Sequence, residues 1–312
     1  MTLRGVKRQT AVGEIAEVIV SENLSDERSR EVCRKFPELP ISYRLREPPL
    51  ANMMRHAEVL FAEANSELVA FVCDDDIWSP GHLQSAIESL DRNPDAVAHF
   101  SGFISAESEL SMSGAMWAPS LLWLAAGRPP RMSEYVYDQA MVLALAWIVT
   151  PFQWSTLVAR TSVAAVAAPA LTASPHFFYA DRMLITALAE HGKVILDPAV
   201  DTLYRVYPGN WARGQSAEHL EELLAECEAL VLSEAQRAGI DVPALWGGLL
   251  SDMTEDIVGD VSDQLRARFS EHELAAYGFA GFLSALPPKP PISVRIKGRM
   301  RRAFRALLGK AD

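Results

Sequence analysis

Cysteine is scarce: three thiols, Cys33, Cys73 and Cys227, are scattered over 312 residues. Their spacing suits neither a disulfide framework nor a metal site, and it fits a reducing, cytoplasmic compartment. Long apolar runs are missing too. The longest, Met141 to Val149, is about half of the roughly 20 residues that a membrane span needs. The opening stretch, Thr2-Leu3-Arg4-Gly5-Val6-Lys7-Arg8, has no apolar h-region and does not read as a signal peptide. Internal repeats are absent. Positive charge is in deficit, with 29 Lys and Arg against 40 Asp and Glu and a formal net charge of −11. A chain this acidic is unsuited to wrapping nucleic acid. Its basic residues gather at one end: residues 289–312 hold eight of them against Asp312 alone.

What is present is an ordinary globular composition, 49% hydrophobic and 22% charged, on a chain long enough for a large core. The first half alternates strand-like and helix-like segments. Glu17-Val18-Ile19-Val20 reads as a buried strand and is followed by a polar turn and a polar helix to about Arg34. Ile41 to Leu45 alternates as a strand. Met53, Ala57, Leu60, Phe61 and Ala64 form a helical stripe. Leu68 to Cys73 is a continuous apolar run, the mark of a strand covered on both faces. Ser79 and Pro80 suit the N-cap and N1 positions of a helix carrying Leu83, Ile87 and Leu90. Ala96 to Phe100 and Val194 to Leu196 read as further strands, with a helix through Met183 to Leu188, closed by Gly192, before the second. This alternation predicts an α/β fold, a doubly wound and mostly parallel sheet with helices on both faces. From Ser216 the pattern is helical, and Pro287 to Pro291 is a stiff linker.

The chemistry concentrates where the run Leu68–Cys73 stops at Asp74-Asp75-Asp76. Three carboxylates at a strand end repel one another unless a cation or solvent relieves them. The carboxyl edge of an α/β sheet is where ligands bind, and carboxylates there suit Mg²⁺ or Mn²⁺ bridged to phosphates. The plain alternative is a solvated acidic turn in which Asp76 or Ser79 caps the next helix.

Phe71-Val72-Cys73-Asp74-Asp75-Asp76-Ile77-Trp78-Ser79-Pro80 resembles the segment of family 2 glycosyltransferases in which an apolar strand precedes D-x-D-D and x-W-x-P. Val18 to Asp26 resembles that family's "VVVDNGSTD" turn, and Gln9-Thr10 its Q-T pair. Tyr179-Ala180-Asp181-Arg182 resembles its "x-E-D" stretch, and Tyr204 to Trp211 its "YRxHPGS" close. The matches run in order over about residues 3–212. The resemblance implies a GT-A fold and inverting transfer of one sugar from a nucleoside-diphosphate sugar to an acceptor hydroxyl. It implies nucleotide-sugar contacts from Glu22, Asn23, Ser25, Arg55, Asp74, Asp75 and Arg205, and a Mn²⁺ or Mg²⁺ ion on Asp75 and Asp76. It makes Asp181 the catalytic base. Trp154 and Ser155 stand as acceptor-side candidates, since aromatic faces stack on sugars; a core position is the equal alternative.

The sequence departs from the family at Cys73, where the first Asp of D-x-D-D is usual, at Glu22 for Asp, at Ala180 for Glu and at Tyr207 for a metal-binding His. Without Q-x-x-R-W after Arg205, single transfer is favoured over polymerisation. The rival readings are a non-catalytic sugar-nucleotide-binding protein and a D-x-D phosphatase, the latter disfavoured by Ile77-Trp78 after Asp76. The predicted organisation is a transferase domain over 1–212, with its nucleotide part to about 103 and its acceptor part from about 104. A helical extension over 213–286 and a basic amphipathic tail over 287–312 follow. Residues 292–310 suit an anionic membrane surface, with a solvated end or a helix docked on the acidic body as alternatives. Only eight residues precede Gln9, so the reading expects a further strand of the sheet in roughly 15–30 residues upstream of Met1.

Overall fold

The structure is a computed structural model, and it describes residues 2–23, 27–106, 134–148, 153–174, 176–205 and 215–251. Helix α1 (Thr2–Lys7) leads to β1 (Val18–Glu22), α2 (Glu27–Arg34) and β2 (Ile41–Leu45). β1 and β2 pair in parallel, Val18 opposite Ile41 and Glu22 opposite Leu45. Helix α3 (Met53–Glu63) begins where the Asn52 side chain accepts a hydrogen bond from the Arg55 N–H. It buries Met54, Ala57 and Phe61 and leaves Met53 exposed, so Met54 takes the inward place predicted for Met53.

The central sheet takes β3 (Leu68–Ala70), β4 (Ile77–Trp78), β5 (Ala96–Ala106), β6 (Tyr135–Tyr137), β7 (Leu157–Arg160) and β8 (Lys193–Arg205). Its order is β3-β7-β5-β8-β4, with β6 also on β8. The α/β class and helices on both sides of the sheet hold. The pairing is mixed, however. Among the described residues only β1–β2 and β5–β8 are parallel, because β7 enters antiparallel between β3 and β5, and β4 and β6 both run antiparallel to β8. β1 and β3 do not pair with each other among the described residues. Both strands are half-buried, where the sequence predicts full cover for Leu68 to Cys73.

Helix α4 (His82–Arg92) packs on β5 and buries Leu83, Ala86 and Leu90. Its start corrects one expectation: the N-cap residue is Gly81, and Ser79 donates instead to Asp201 Oδ1 at 2.6 Å. The cap comes from far away in sequence. Gln9 is buried, its Oε1 accepts the Leu83 N–H at 3.0 Å, and its Nε2 donates to Ser79 O at 2.6 Å. That hold is what seats α1 against β4, and Gly5 makes the approach possible, since a Cβ there would lie 3.2 Å from the Trp78 nitrogen.

Helices α5 (Gln139–Ile148), α6 (Thr161–Ala167), α7 (Pro169–Ala173) and α8 (Ala180–Ala189) follow, then α9 (Ala217–Arg237) and α10 (Val242–Ser251). α9 and α10 pack on α5, where the buried Trp246 donates its indole N–H to Ala144 O at 2.7 Å. The first compact unit therefore runs Met1–Met253, past residue 212. A second unit, Thr254–Asp312, lies outside the described residues, and so does the predicted basic tail.

Candidate active site

After Ala70 the chain leaves the β3 ladder. Phe71 still donates to Leu157 O, but the Cys73 N–H turns to the Ser155 hydroxyl at 2.9 Å. From there to β4 the acidic loop has no ladder of its own. Its three carboxylates meet three environments: Asp74 is exposed, Asp75 half-buried and Asp76 fully buried.

A buried carboxylate needs donors, and Asp76 has three. Its Oδ2 accepts from Ser155 Oγ at 2.5 Å and Gln153 Nε2 at 2.9 Å, and its Oδ1 accepts from the Arg205 N–H at 3.0 Å. Burial pushes the Asp76 carboxyl up to about 6 despite these donors. The oxygens of Asp76, one of the two predicted metal ligands, thus face inward onto protein donors. Asp75 points elsewhere. Burial and then the Asp74 charge raise its carboxyl, while Arg205, with Nη2 3.8 Å from Asp75 Oδ2, opposes them.

Asp181 opens α8 and lies in the same neighbourhood. Its carboxylate takes the Trp154 backbone N–H, burial raises it well above the ordinary range, and the Asp76 charge adds to the shift. Its Oδ1 is buried without a hydrogen-bond partner. The Cys73 thiol is pushed up by burial and then by the charges of Asp76, Asp181 and Asp75, so the loop and the start of α8 share one acidic pocket. Tyr204 is raised to about 12 by burial and the same carboxylates.

The remaining predicted residues divide. Trp154 is buried, its ring 5.3 Å from that of Phe71, and Ser155 is wholly buried. Both belong to the support beneath the acidic loop. Glu22 accepts from Ser29 Oγ at 3.0 Å and Tyr43 OH at 2.5 Å. Asn23 clamps Leu50, donating to its carbonyl at 2.7 Å and accepting its N–H at 2.8 Å. Arg55 pairs with Glu58 along its own helix at 2.6 Å. Ser25 and residues 206–214, Tyr207 included, lie outside the described residues. The sequence reading missed Gln153. Its signal is a polar Gln-x-Ser-Thr turn directly before the apolar strand β7, in which the Gln153 side chain caps the Ser155 N–H at 2.8 Å.

Among the described residues, no group of three or more His, Cys, Asp or Glu side chains could hold a metal ion. None of their helices is long and apolar enough to cross a membrane.

Residues 2–139 match the family model described as glycosyl transferase family 2. The match takes in the acidic loop and stops short of Asp181 and Arg205. No curated protein matches the chain. Among solved structures, residues 1–349 of S. aureus TarS in complex with UDP-GlcNAc are similar at 13% identity and a TM-score of 0.49, over 82% of this chain and 78% of that one. The same fragment in complex with UDP gives 14% and 0.48, over 82% and 77%. A structure of S. aureus TarS gives 14% and 0.49, over 90% of this chain and 50% of that one.

Proposed function

We propose that the chain moves a single sugar from a nucleoside-diphosphate sugar to an acceptor hydroxyl, with inversion at the anomeric carbon. The observation that carries this reading is the pocket that gathers Asp75, Asp76, Asp181 and the Arg205 backbone. In that reaction the acceptor oxygen bonds to the anomeric carbon while the bond from that carbon to the diphosphate breaks. The bonding pair leaves on the diphosphate, and the acceptor proton passes to Asp181. A carboxylate held above its ordinary range is matched to that task, because a base poised nearer the working pH keeps the proton it takes. The unpartnered Asp181 Oδ1 is the atom that receives it.

The residues fit a divalent ion of the Mg²⁺ or Mn²⁺ kind under one condition. Such ions keep waters and use one or two carboxylates with substrate phosphates. Asp75, with Asp74 beside it, supplies that much, and the absence of a third protein ligand among the described residues is no obstacle. A bound ion would offset charge on the departing diphosphate. Arg205 stands beside Asp75 to share that work. Glu22 and Asn23, at the end of β1, remain the residues proposed for the nucleotide, and Arg55 for phosphate once released from Glu58. The hydroxyl acceptor comes from the glycan, lipid-linked or small-molecule class. For a lipid-linked acceptor, residues 292–310 would touch the inner face of the membrane.

The test is a donor panel. UDP-, GDP- and dTDP-sugars are incubated with the protein, with and without Mn²⁺, and release of the nucleoside diphosphate is followed. Metal-dependent release from one donor supports the reading. Nucleotide binding without release from any donor, across an acceptor screen, would replace it with the non-catalytic one.

A further inference from the structure

The short turn at Gln153–Thr156 is buried throughout, and its polar atoms reach three separate parts of the chain. Toward the acidic loop, Ser155 Oγ accepts from the Cys73 N–H at 2.9 Å and donates to Asp76 Oδ2 at 2.5 Å, and Gln153 Nε2 donates to the same oxygen at 2.9 Å. The Ser155 carbonyl accepts the Trp78 indole N–H at 2.5 Å, which fixes the strand where the loop ends. Toward β8, the same carbonyl accepts from Thr202 Oγ1 at 3.3 Å. Toward α8, the Trp154 N–H meets the Asp181 carboxylate.

We propose that Gln153 and Ser155 are positioning residues: through Asp76 they fix where Asp75 stands, and through the turn they hold it in register with Asp181. The proposal rests on the reading of Asp75 and Asp181 given above. The physical reason is that residues 71–76 lie between two short strands and carry mutually repelling carboxylates, so side-chain bonds must do what a ladder does elsewhere. Because Ser155 Oγ already accepts from Cys73, its own proton is directed at Asp76, and neither partner has water to fall back on. Thr156 supplies the contrast. It is equally buried, yet its hydroxyl donates within the turn, to Gln153 O at 2.7 Å, and reaches none of the three segments.

The experiment compares Ser155→Ala, Gln153→Leu and Thr156→Val in the full chain, each first checked for a cooperative melt. The first readout needs no substrate: the alkylation rate of the Cys73 thiol, assigned by peptide mass spectrometry. The second is calorimetric affinity for UDP, GDP and dTDP with Mn²⁺. The expected result is alkylation faster by about tenfold in Ser155→Ala and Gln153→Leu, the scale of one lost charge-assisted hydrogen bond, and unchanged in Thr156→Val. Affinity for whichever nucleotide the wild type binds falls about 10–100-fold in the same two variants. Equal alkylation in all three, or a change in Thr156→Val as large as in the others, overturns the proposal. If the wild type binds none of the nucleotides, the donor reading fails, and the alkylation contrast alone decides the positioning role. Should Ser155→Ala not fold, Gln153→Leu against Thr156→Val carries the same decision.

Discussion

Asp75 and Asp76 are adjacent in sequence and opposite in surroundings, and their chemistry follows the surroundings. Asp76 is tied to Gln153, Ser155 and the Arg205 N–H, so it shapes the loop. Asp75, half-buried beside Asp74 and Arg205, is the carboxylate proposed to meet a ligand. Asp75→Asn is therefore expected to weaken Mn²⁺-dependent nucleoside-diphosphate binding by more than the about 10–100-fold typical of an outer-shell change, with the melt preserved. Unchanged calorimetric affinity would remove Asp75 from the site. Asp181→Asn is expected to act on the other side of the reaction. Turnover should fall by about 100- to 10,000-fold, the usual contribution of a general base, while donor affinity stays near wild type. A parallel loss of affinity would make Asp181 a residue of donor binding instead.

The elements show how much of this was legible. The 3.6-residue stripes placed α3, α4, α8 and α9, and the apolar runs placed β1, β2 and the starts of β5 and β8, because such patterns are local. β5 and β8 continue to Ala106 and Arg205 by pairing with each other, beyond the apolar residues that announced them. β3 stops early because Cys73 is drawn off to Ser155. The antiparallel entry of β7 could not be read from alternation of elements, which is silent on strand direction. The three aspartates stood out in the sequence, but their division into one inward and one outward carboxylate depends on Gln153 and Ser155, some 77 and 79 residues away. The cap on α4 is equally remote: Gln9 supplies what Ser79 was expected to give. Gln9→Leu removes that acceptor and strips a donor from Ser79 O, so it should cost about 2 kcal/mol, read as a lower denaturant midpoint. An unchanged midpoint would show that water or the Gly81 backbone serves as well.

At the scale of the whole molecule, buried titratable groups set the pH response. His82 is fully buried, stacked on Trp78 with ring centres 4.7 Å apart, and its Nε2 has no hydrogen-bond partner. Burial, and then the nearby His99, lower its pKa from the ordinary 6.5 to about 3. The unfolded chain thus takes up this proton near 6.5 and the folded chain only near 3, so His82 costs stability progressively as the pH falls through that window. Asp76, raised from 3.8 to about 6, has the opposite sign: the folded state holds its proton longer, and stability from this group is lost as the pH rises through 6. His82→Leu should flatten the acid-side loss, by a slope of at most about 1.4 kcal/mol per pH unit, and leave the Asp76 contribution in place. Denaturant midpoints measured from pH 7 to pH 4 check this, and parallel wild-type and variant curves would contradict it.

The central claim is that one acidic pocket both holds the donor and takes the acceptor proton. It is tested most directly by following nucleoside-diphosphate release from the UDP-, GDP- and dTDP-sugar panel with wild type, Asp75→Asn and Asp181→Asn side by side. The account predicts release from one donor that requires Mn²⁺ and the wild-type pocket, and that is lost in both variants. Release that survives in both variants, or that proceeds equally without the metal, would contradict it.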